Sequence, residues 1–298
     1  MILSPICLFT YNRLEETKKT VYALKQNDLA NQSDLFIFSD GWKNEIERPK
    51  IEKVRSFLKT IVGFKTIIVF ESPINKGLAN SIIDGVTKVI DKYGKVIVLE
   101  DDIITSRGFL KYMNEGLDYY SNNKRVMQIS AFMFPIDSTD LPDTFFYQAN
   151  TCWGWGTWKD AWKLYNGDAN GLLNELKLKG ISWSTFNSMQ GKEFQKQLLN
   201  NINGHLNTWA VKWHATIILN GGNVLHPKVS YVSNIGFAGN GENCRKGDPL
   251  GEVDNSLNLD VTSAIKIKEE TSLNRLNKYF KKRYSFVEKC KRKIKSFL

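Results

Sequence analysis

Over the first hundred residues, short blocks of consecutive apolar residues alternate with longer stretches whose apolar positions recur every three or four residues. Ile2 to Phe9 reads as a strand, Leu14 to Gln26 as a helix, Asp34 to Ser39 as a strand and Lys50 to Thr60 as a helix. The pattern continues with a strand over Lys65 to Phe70, a helix over Gly77 to Lys92 and a strand over Lys95 to Leu99. Strictly alternating strands and helices predict an α/β fold, a mostly parallel sheet with helices on both faces. Ligands of such sheets bind beyond the carboxyl ends of the strands. Polar segments follow each strand at that edge: Thr10, Tyr11, Asn12 and Arg13; Asp40, Gly41 and Trp42; Glu71 to Gly77; and Glu100 to Asp102.

From about residue 126 the pattern changes. Val126 to Phe134 and Thr144 to Gln148 read as strands, and a tryptophan-rich segment runs from Cys152 to Trp162. Helices are expected over Lys192 to Asn203 and Thr208 to Leu219, then a short strand near Val224 and a polar, Gly-rich loop from Gly236 to Gly251, long enough to serve as a lid. No linker or repeat interrupts the chain. One continuous fold with two working halves, 1–125 and 126–272, is expected, followed by a tail, 273–298.

The formal net charge of +10 suggests a nucleic-acid binder until its position is considered. Residues 273 to 298 hold ten Lys or Arg against one acid, Glu288, so nearly all of the excess lies there. Leu273, Leu276, Phe280, Tyr284, Val287, Cys290, Ile294 and Leu298 fall three or four apart in the same segment. A helix would therefore carry an apolar stripe beside a cationic face, the pattern of an element that lies on an anionic membrane surface. No aromatic-basic module accompanies it, so nucleic acid is not an expected partner. The four cysteines are widely spaced and suit a reducing compartment, and Met1 to Phe9 is too short for a secretory signal. A cytoplasmic protein, peripheral on the inner face of the membrane, is the expectation.

The candidate chemistry centres on Glu100, Asp101 and Asp102, three carboxylates at the end of a strand of Val, Ile and Leu. They repel one another unless a cation or hydrogen-bond donors hold them. Oxygen-only ligation without a nearby His or Cys favours Mn²⁺ or Mg²⁺, which commonly share substrate phosphates. His205, His214 and His226 show no metal-ligand spacing, although His226 is the one to compare with the acid site. Arg13, Asp40, Lys76, Gly77 and Asn80 complete a set suited to a nucleoside diphosphate. A carboxylate accepts an imide N–H, a glycine admits close backbone approach, and basic groups neutralise phosphate. No G-x-G-x-x-G follows the first strand, which argues against a nicotinamide-dependent oxidoreductase.

Six segments in this order and spacing, Ser4 to Arg13, Phe38 to Gly41, Asn75 to Asn80, Leu99 to Asp102, Trp153 to Gly156 and Ser233 to Phe237, resemble the GT-A class of nucleotide-sugar glycosyltransferases. The resemblance covers roughly residues 2 to 250. It is nearest to bacterial sugar transferases of polysaccharide assembly and more distant to the N-acetylglucosaminyltransferase I group. It implies a GT-A fold and a metal-dependent, inverting transfer from a nucleotide-diphosphate sugar, UDP-sugar favoured, to a glycan or lipid-linked acceptor. It further implies Asp102 as the direct metal ligand, Asp40 at the base, Arg13 near the nucleotide, and Glu100 and Asp101 near ribose and sugar. In the relatives the proton acceptor lies at the helix start of the second half, where this chain reads Asn207 to Trp213 and offers no acid. Asp160 and Glu242 are the expected substitutes. A nucleotide-sugar-binding protein without transferase activity is the alternative. Trp153, Gly154, Trp155 and Trp209 are the expected acceptor platform, aromatic faces beside open glycine backbone, whereas Trp158 and Trp162 are expected in the core.

Overall fold

The computed structural model describes residues 2–236, 253–265 and 270–285. The first half opens with four strands alternating with three helices. β1 (Ile6–Thr10), α1 (Leu14–Lys25), β2 (Asp34–Ser39), α2 (Arg48–Leu58), β3 (Thr66–Glu71), α3 (Leu78–Tyr93) and β4 (Lys95–Glu100) follow one another, each within a residue or two of its expected bounds except the start of β1. The chain then makes β5 (Ile103–Thr105), α4 (Phe109–Tyr119), β6 (Val126–Ser130), β7 (Thr144–Phe146), β8 (Trp155–Trp158) and α5 (Lys159–Trp162). It ends with α6 (Ala169–Leu178), α7 (Trp183–Phe186), α8 (Glu193–Ile202), α9 (Ala210–Leu219), β9 (Asn223–Pro227), β10 (Val232–Asn234) and α10 (Glu270–Arg283).

Eight strands form one sheet in the order β3-β2-β1-β4-β8-β6-β9-β7. β1 to β4 are mutually parallel, β8 runs antiparallel between β4 and β6, and β7 runs antiparallel to β9. This is a mixed, mostly parallel sheet flanked by helices, a Rossmann-like α/β architecture. β5 and β10 form a separate antiparallel pair just beyond the end of β4.

The two faces follow from period-two alternation along the strands. Ile97 and Leu99 of β4 pack with Val21 and Leu24 of α1 and with Phe109, Met113 and Leu117 of α4. Val96 and Val98 face the other way, onto Ile82, Val86 and Val89 of α3 and onto Trp155, Trp209 and Trp213. Ile82, Val86, Val89 and Ile90 fall at helical spacing, which lays one stripe of α3 on the sheet. A side chain at Gly85 would place Cβ 2.6 Å from the ring of Phe9, so this glycine lets the helix approach. Gly94, at φ 79°, ends α3 with its N–H donating to the Ile90 carbonyl and turns the chain directly into β4.

A third cluster joins α6, α8 and α9 to α10. Leu276 and Phe280 of α10 are 0% and 2% exposed, with Phe134 packed against Phe280. The expectation of an apolar stripe open to lipid is corrected for this part of the tail: its apolar residues complete a core that α9 and α6 leave open. Val287, Cys290, Ile294 and Leu298 lie outside the described residues, as does all but the first residue of the loop expected as a lid from Gly236 to Gly251. Among the described residues no helix is long and apolar enough to cross a membrane.

The tryptophans of the second half also differ from expectation. Trp155 lies in β8 at 0% exposure and stacks on Trp209, itself 3% exposed, with ring centroids 4.8 Å apart. Neither presents a ring face to an acceptor, because β8 is an interior strand and α9 covers it. Trp162 is core as expected, beside Trp155 and Trp213. Replacing Trp155 with Ala should therefore lower unfolding free energy by about 3–5 kcal/mol in urea titrations; an acceptor-binding defect with unchanged stability would contradict its place in the core.

Candidate functional site

Parallel register carries Thr10, Ser39, Glu71 and Glu100 to one edge of the sheet. Two loops there are tied together through Asp40. Its carboxylate accepts the backbone N–H groups of Gly41 (2.9 Å), Lys76 (2.9 Å) and Gly77 (2.8 Å) and the side-chain amide of Asn75 (3.2 Å). Asn75 also donates to the Gly41 carbonyl at 2.8 Å. A Cβ at Gly41 would lie 2.4 Å from the Ile74 carbonyl carbon, so only glycine admits this crossing. Arg55, reaching up from α2, donates to the carbonyls of Ser72 (2.7 Å) and Asp40 (3.2 Å) and stands 3.5 Å from Glu71. Lys76 is turned to Asp84 at 2.7 Å, and Asn80 donates to the Lys76 carbonyl at 2.8 Å.

The acid triplet lies at the next strand end. Alternation sends Glu100 toward the face of Val96 and Val98, and the turn that follows sends Asp101 and Asp102 toward α1. Arg13, at the start of α1, places one guanidinium nitrogen against Asp101 and the other 2.9 Å from Asp102 Oδ2. The Tyr11 N–H donates to Asp101 at 3.3 Å, and Thr20 Oγ1 donates to the Asp101 carbonyl at 2.8 Å. Tyr11 directs its hydroxyl to Glu47. Thr10 is buried with an unpartnered hydroxyl, and Asn12 is half-buried in the intervening turn.

β10 brings a second segment over the acids. The Ile235 N–H donates to the Asp102 carbonyl at 2.9 Å, and the Gly236 N–H donates to Asn234 Oδ1 at 2.7 Å. A Cβ at Gly236 would stand 2.3 Å from Asp102 Oδ2. Asp102 Oδ1 is buried with no hydrogen-bond partner. Asn234 and Gly236 lie within the Ser233 to Phe237 segment of the GT-A resemblance, but no local signal in the sequence gives either a role. Their relation to Asp102 arises from a strand pairing more than a hundred residues apart.

The electrostatics are unbalanced. Burial, then repulsion from Asp102 and Asp101, pushes Glu100 up to about 8. Burial also pushes Asp101 up to about 6, against the opposing pull of Arg13, and raises Asp102 in the same way. Burial draws Arg13 down, but attraction to Asp101 and Asp102 outweighs it and leaves its pKa raised. One guanidinium faces three carboxyl groups. Among the described residues no group of three His, Cys, Asp or Glu side chains is arranged to hold a metal ion. The triplet is thus not a three-carboxylate cage. What fits a hard cation is narrower: the unpartnered Oδ1 of Asp102, an oxygen in need of a positive partner.

Asp160 and His226 stand elsewhere. Asp160 follows β8, whose Trp158 pairs with Lys95 at the opposite end of β4 from Glu100. At ~3.3 Å per residue that separation is about 16 Å. Asp160 is instead ion-paired to Lys124 on the surface, because β8 descends the sheet and carries its C-terminal end away from the site. His226 faces the Phe132 and Ala149 carbonyls at 3.2 and 3.1 Å, deep in the second half, and is a structural histidine. Glu242 lies outside the described residues. At the Gly154 end β8 returns to the site edge, where Trp153 packs edge-on against Phe132, with centroids 4.5 Å apart.

Comparison with family models and with curated proteins finds no match. Among solved structures, the chain is similar to the mannosyltransferase PcManGT from Pyrobaculum calidifontis in complex with GDP-Man and Mn2+, at 9% identity and TM-score 0.39 over 52% of this chain and 44% of that one. It is similar to S. aureus TarS 1-349 at 10% identity and TM-score 0.40, over 76% and 59% respectively. It is also similar to a longer S. aureus TarS structure at 12% identity and TM-score 0.30, over 42% and 21%. The chain spans less than two thirds of each of these structures. Scores this low fix neither substrate nor activity.

The raised carboxyl of Glu100 has a consequence for stability. Between 4.5, the ordinary value, and about 8 the folded state holds a proton that the unfolded chain releases. Stability of the metal-free protein should therefore fall as pH rises through that window, with Asp101 adding to the slope up to about 6. Denaturant titrations across the window should show the decline, and Glu100→Gln should remove most of the slope above the Asp101 range; an unchanged slope would refute the assignment.

Proposed function

We propose that the chain is a metal-dependent glycosyltransferase of GT-A type. It moves a sugar from a nucleotide-diphosphate sugar, UDP-sugar favoured, to a glycan or lipid-linked acceptor in bacterial surface polysaccharide assembly, with inversion. The observation that carries this reading is the under-compensated acid cluster at the carboxyl edge of the sheet, with a buried, partnerless oxygen on Asp102 beneath a turn that only glycine fits. Such a cluster gains free energy from a cation, and the place is where α/β sheets bind nucleotides. Asp102 would hold Mn²⁺ or Mg²⁺ through Oδ1, and the bound ion would stabilise the charge on the departing diphosphate.

Residues 1–125 form the donor half in this reading. Thr10, Tyr11, Asn12 and Arg13 line the nucleotide, the Asp40 clasp presents the loop with Lys76 and Gly77 to the base and phosphates, and Glu100 and Asp101 face ribose and sugar. Residues 126–272 form the acceptor half, with Trp153 and Gly154 at the mouth. The acceptor oxygen attacks the anomeric carbon, the bond from that carbon to the diphosphate oxygen breaks, and the hydroxyl proton passes to a base. The exposed lysines of α10, Lys278, Lys281 and Lys282, support an anionic membrane surface as the place of action, on the cytoplasmic side.

A second reading, nucleotide-sugar binding without transfer, is favoured by one observation. The start of α9 carries no acid, and Asp160 sits at the far end of β4. Incubation with Mn²⁺ and a panel of nucleotide sugars, with and without glycan acceptors, separates the two. Transfer to an acceptor supports the first reading, binding without turnover supports the second, and neither binding nor turnover refutes both. Asp102→Asn should weaken nucleotide binding in Mn²⁺ by at least the ~10–100-fold that loss of even an outer-shell partner costs a metal site. Undiminished affinity by calorimetry would remove Asp102 as the ligand.

A further inference from the structure

We propose that Arg13 is an exchangeable counter-ion, engaging Asp101 and Asp102 in the ligand-free protein and moving to the donor diphosphate when a divalent cation takes over Asp102. The consequence is that cation and nucleotide bind cooperatively. This rests on the functional reading above and adds a role for one of its residues.

The backbone of Arg13 is fixed. Its carbonyl accepts the Thr17 N–H at 3.0 Å and the Thr17 hydroxyl at 2.6 Å, so only the side chain is free to relocate. That side chain is 20% exposed, open on one flank while its charged end meets two carboxylates. On Asp102 it engages Oδ2 and leaves Oδ1 buried and unpartnered, so the carboxylate is half neutralised. A cation arriving alone must settle beside a guanidinium that shares its ligand, and like charges oppose its entry. A diphosphate relieves that conflict by offering the guanidinium another pair of anionic oxygens.

The side-chain chemistry suits both partners. A planar guanidinium spans two neighbouring carboxylates, and the same fork spans two phosphate oxygens, which a lysine ammonium does not match. Two other cations at this edge are committed elsewhere: Arg55 to the carbonyls of Ser72 and Asp40, and Lys76 to Asp84. A rigid strut would make a different molecule. If Arg13 only held the acids together, its removal would leave them disordered and cation binding no stronger.

Calorimetric titration of the full chain with Mn²⁺ alone, UDP alone and each in the presence of the other decides. For the wild type, each should strengthen the other by the same factor, within the ~5–150-fold range usual for linked sites. Arg13→Met should bind Mn²⁺ alone more tightly, by roughly fivefold or more, and lose most of that mutual factor. Equal or weaker Mn²⁺ binding by Arg13→Met, with a thermal transition showing it folded, overturns the exchange and leaves a strut. Arg13→Lys, which keeps the charge without the fork, should show an intermediate mutual factor. A wild-type factor in Arg13→Lys also overturns the proposal, and this variant decides if Arg13→Met does not fold. Failure of the wild type to bind any nucleoside diphosphate with Mn²⁺ is a separate outcome: it removes the functional reading and the exchange with it.

Discussion

Strand β4 is buried along its four central residues and delivers three carboxyl groups in succession to the sheet edge, where a single guanidinium meets them. Nothing in strand stability calls for those acids; they repel, and burial raises all three. Several neighbouring features serve to hold this unfavourable arrangement in place. Thr20 of α1 and Ile235 beyond β10 bind the carbonyls of Asp101 and Asp102, and Tyr11 binds a carboxylate oxygen. The backbone of the acid turn is thereby anchored from two sides while its side chains stay short of positive charge.

The direction of β8 decides which part of the second half can share that edge. Pairing antiparallel to β4, it starts near the acids at Trp155 and finishes beside Lys95. The Trp155 end of β8 is therefore on the acid side of the sheet, and the Trp158 end, with Asp160 just beyond it, is remote from it. Gly156 shows how tight the pairing is: a Cβ there would stand 2.9 Å from the Val96 carbonyl. Trp155 thus fills the α3 side of this interior strand, Gly154 and Gly156 admit α4 on the other, and Trp153, before the strand, packs with the α4-side cluster.

The first half was legible because its apolar periodicities are strong and its connections short. Asp34–Ser39 matches its expected bounds fully, and the other elements to β4 lie close to theirs. Legibility failed where long-range pairing overrode local pattern. Aromatic residues beside glycine suit sugar stacking in sequence, yet Trp155 and Trp209 stack on each other in the core. Asp160 follows the Trp-rich segment closely in sequence, but sequence distance is blind to strand direction, and β8 carries it away from the acids. β5 and β10 are three residues each, too short for any periodicity, and their pairing is what sets Asn234 and Gly236 over Asp102. The apolar stripe of α10 was legible as a stripe, but a stripe does not say whether lipid or protein covers it; Leu276 and Phe280 are covered by protein.

Two buried aspartates on the same edge differ in how fully their carboxylates are satisfied. Asp40 is as buried as a core residue, yet three backbone N–H groups and an amide satisfy it, and its work is to close the loops after β2 and β3 on each other. Further binding at that carboxylate would have to break existing bonds. Asp102 is equally buried, accepts one charged contact and leaves one oxygen with none. An unsatisfied buried acceptor costs about 1–3 kcal/mol, more when charged, and that cost is recovered only when a partner arrives. The difference between the two aspartates lies in donors supplied by chain segments far apart in sequence, so it is the hydrogen-bond inventory of the folded edge, and not the identity of the residues, that sets Asp102 apart from Asp40.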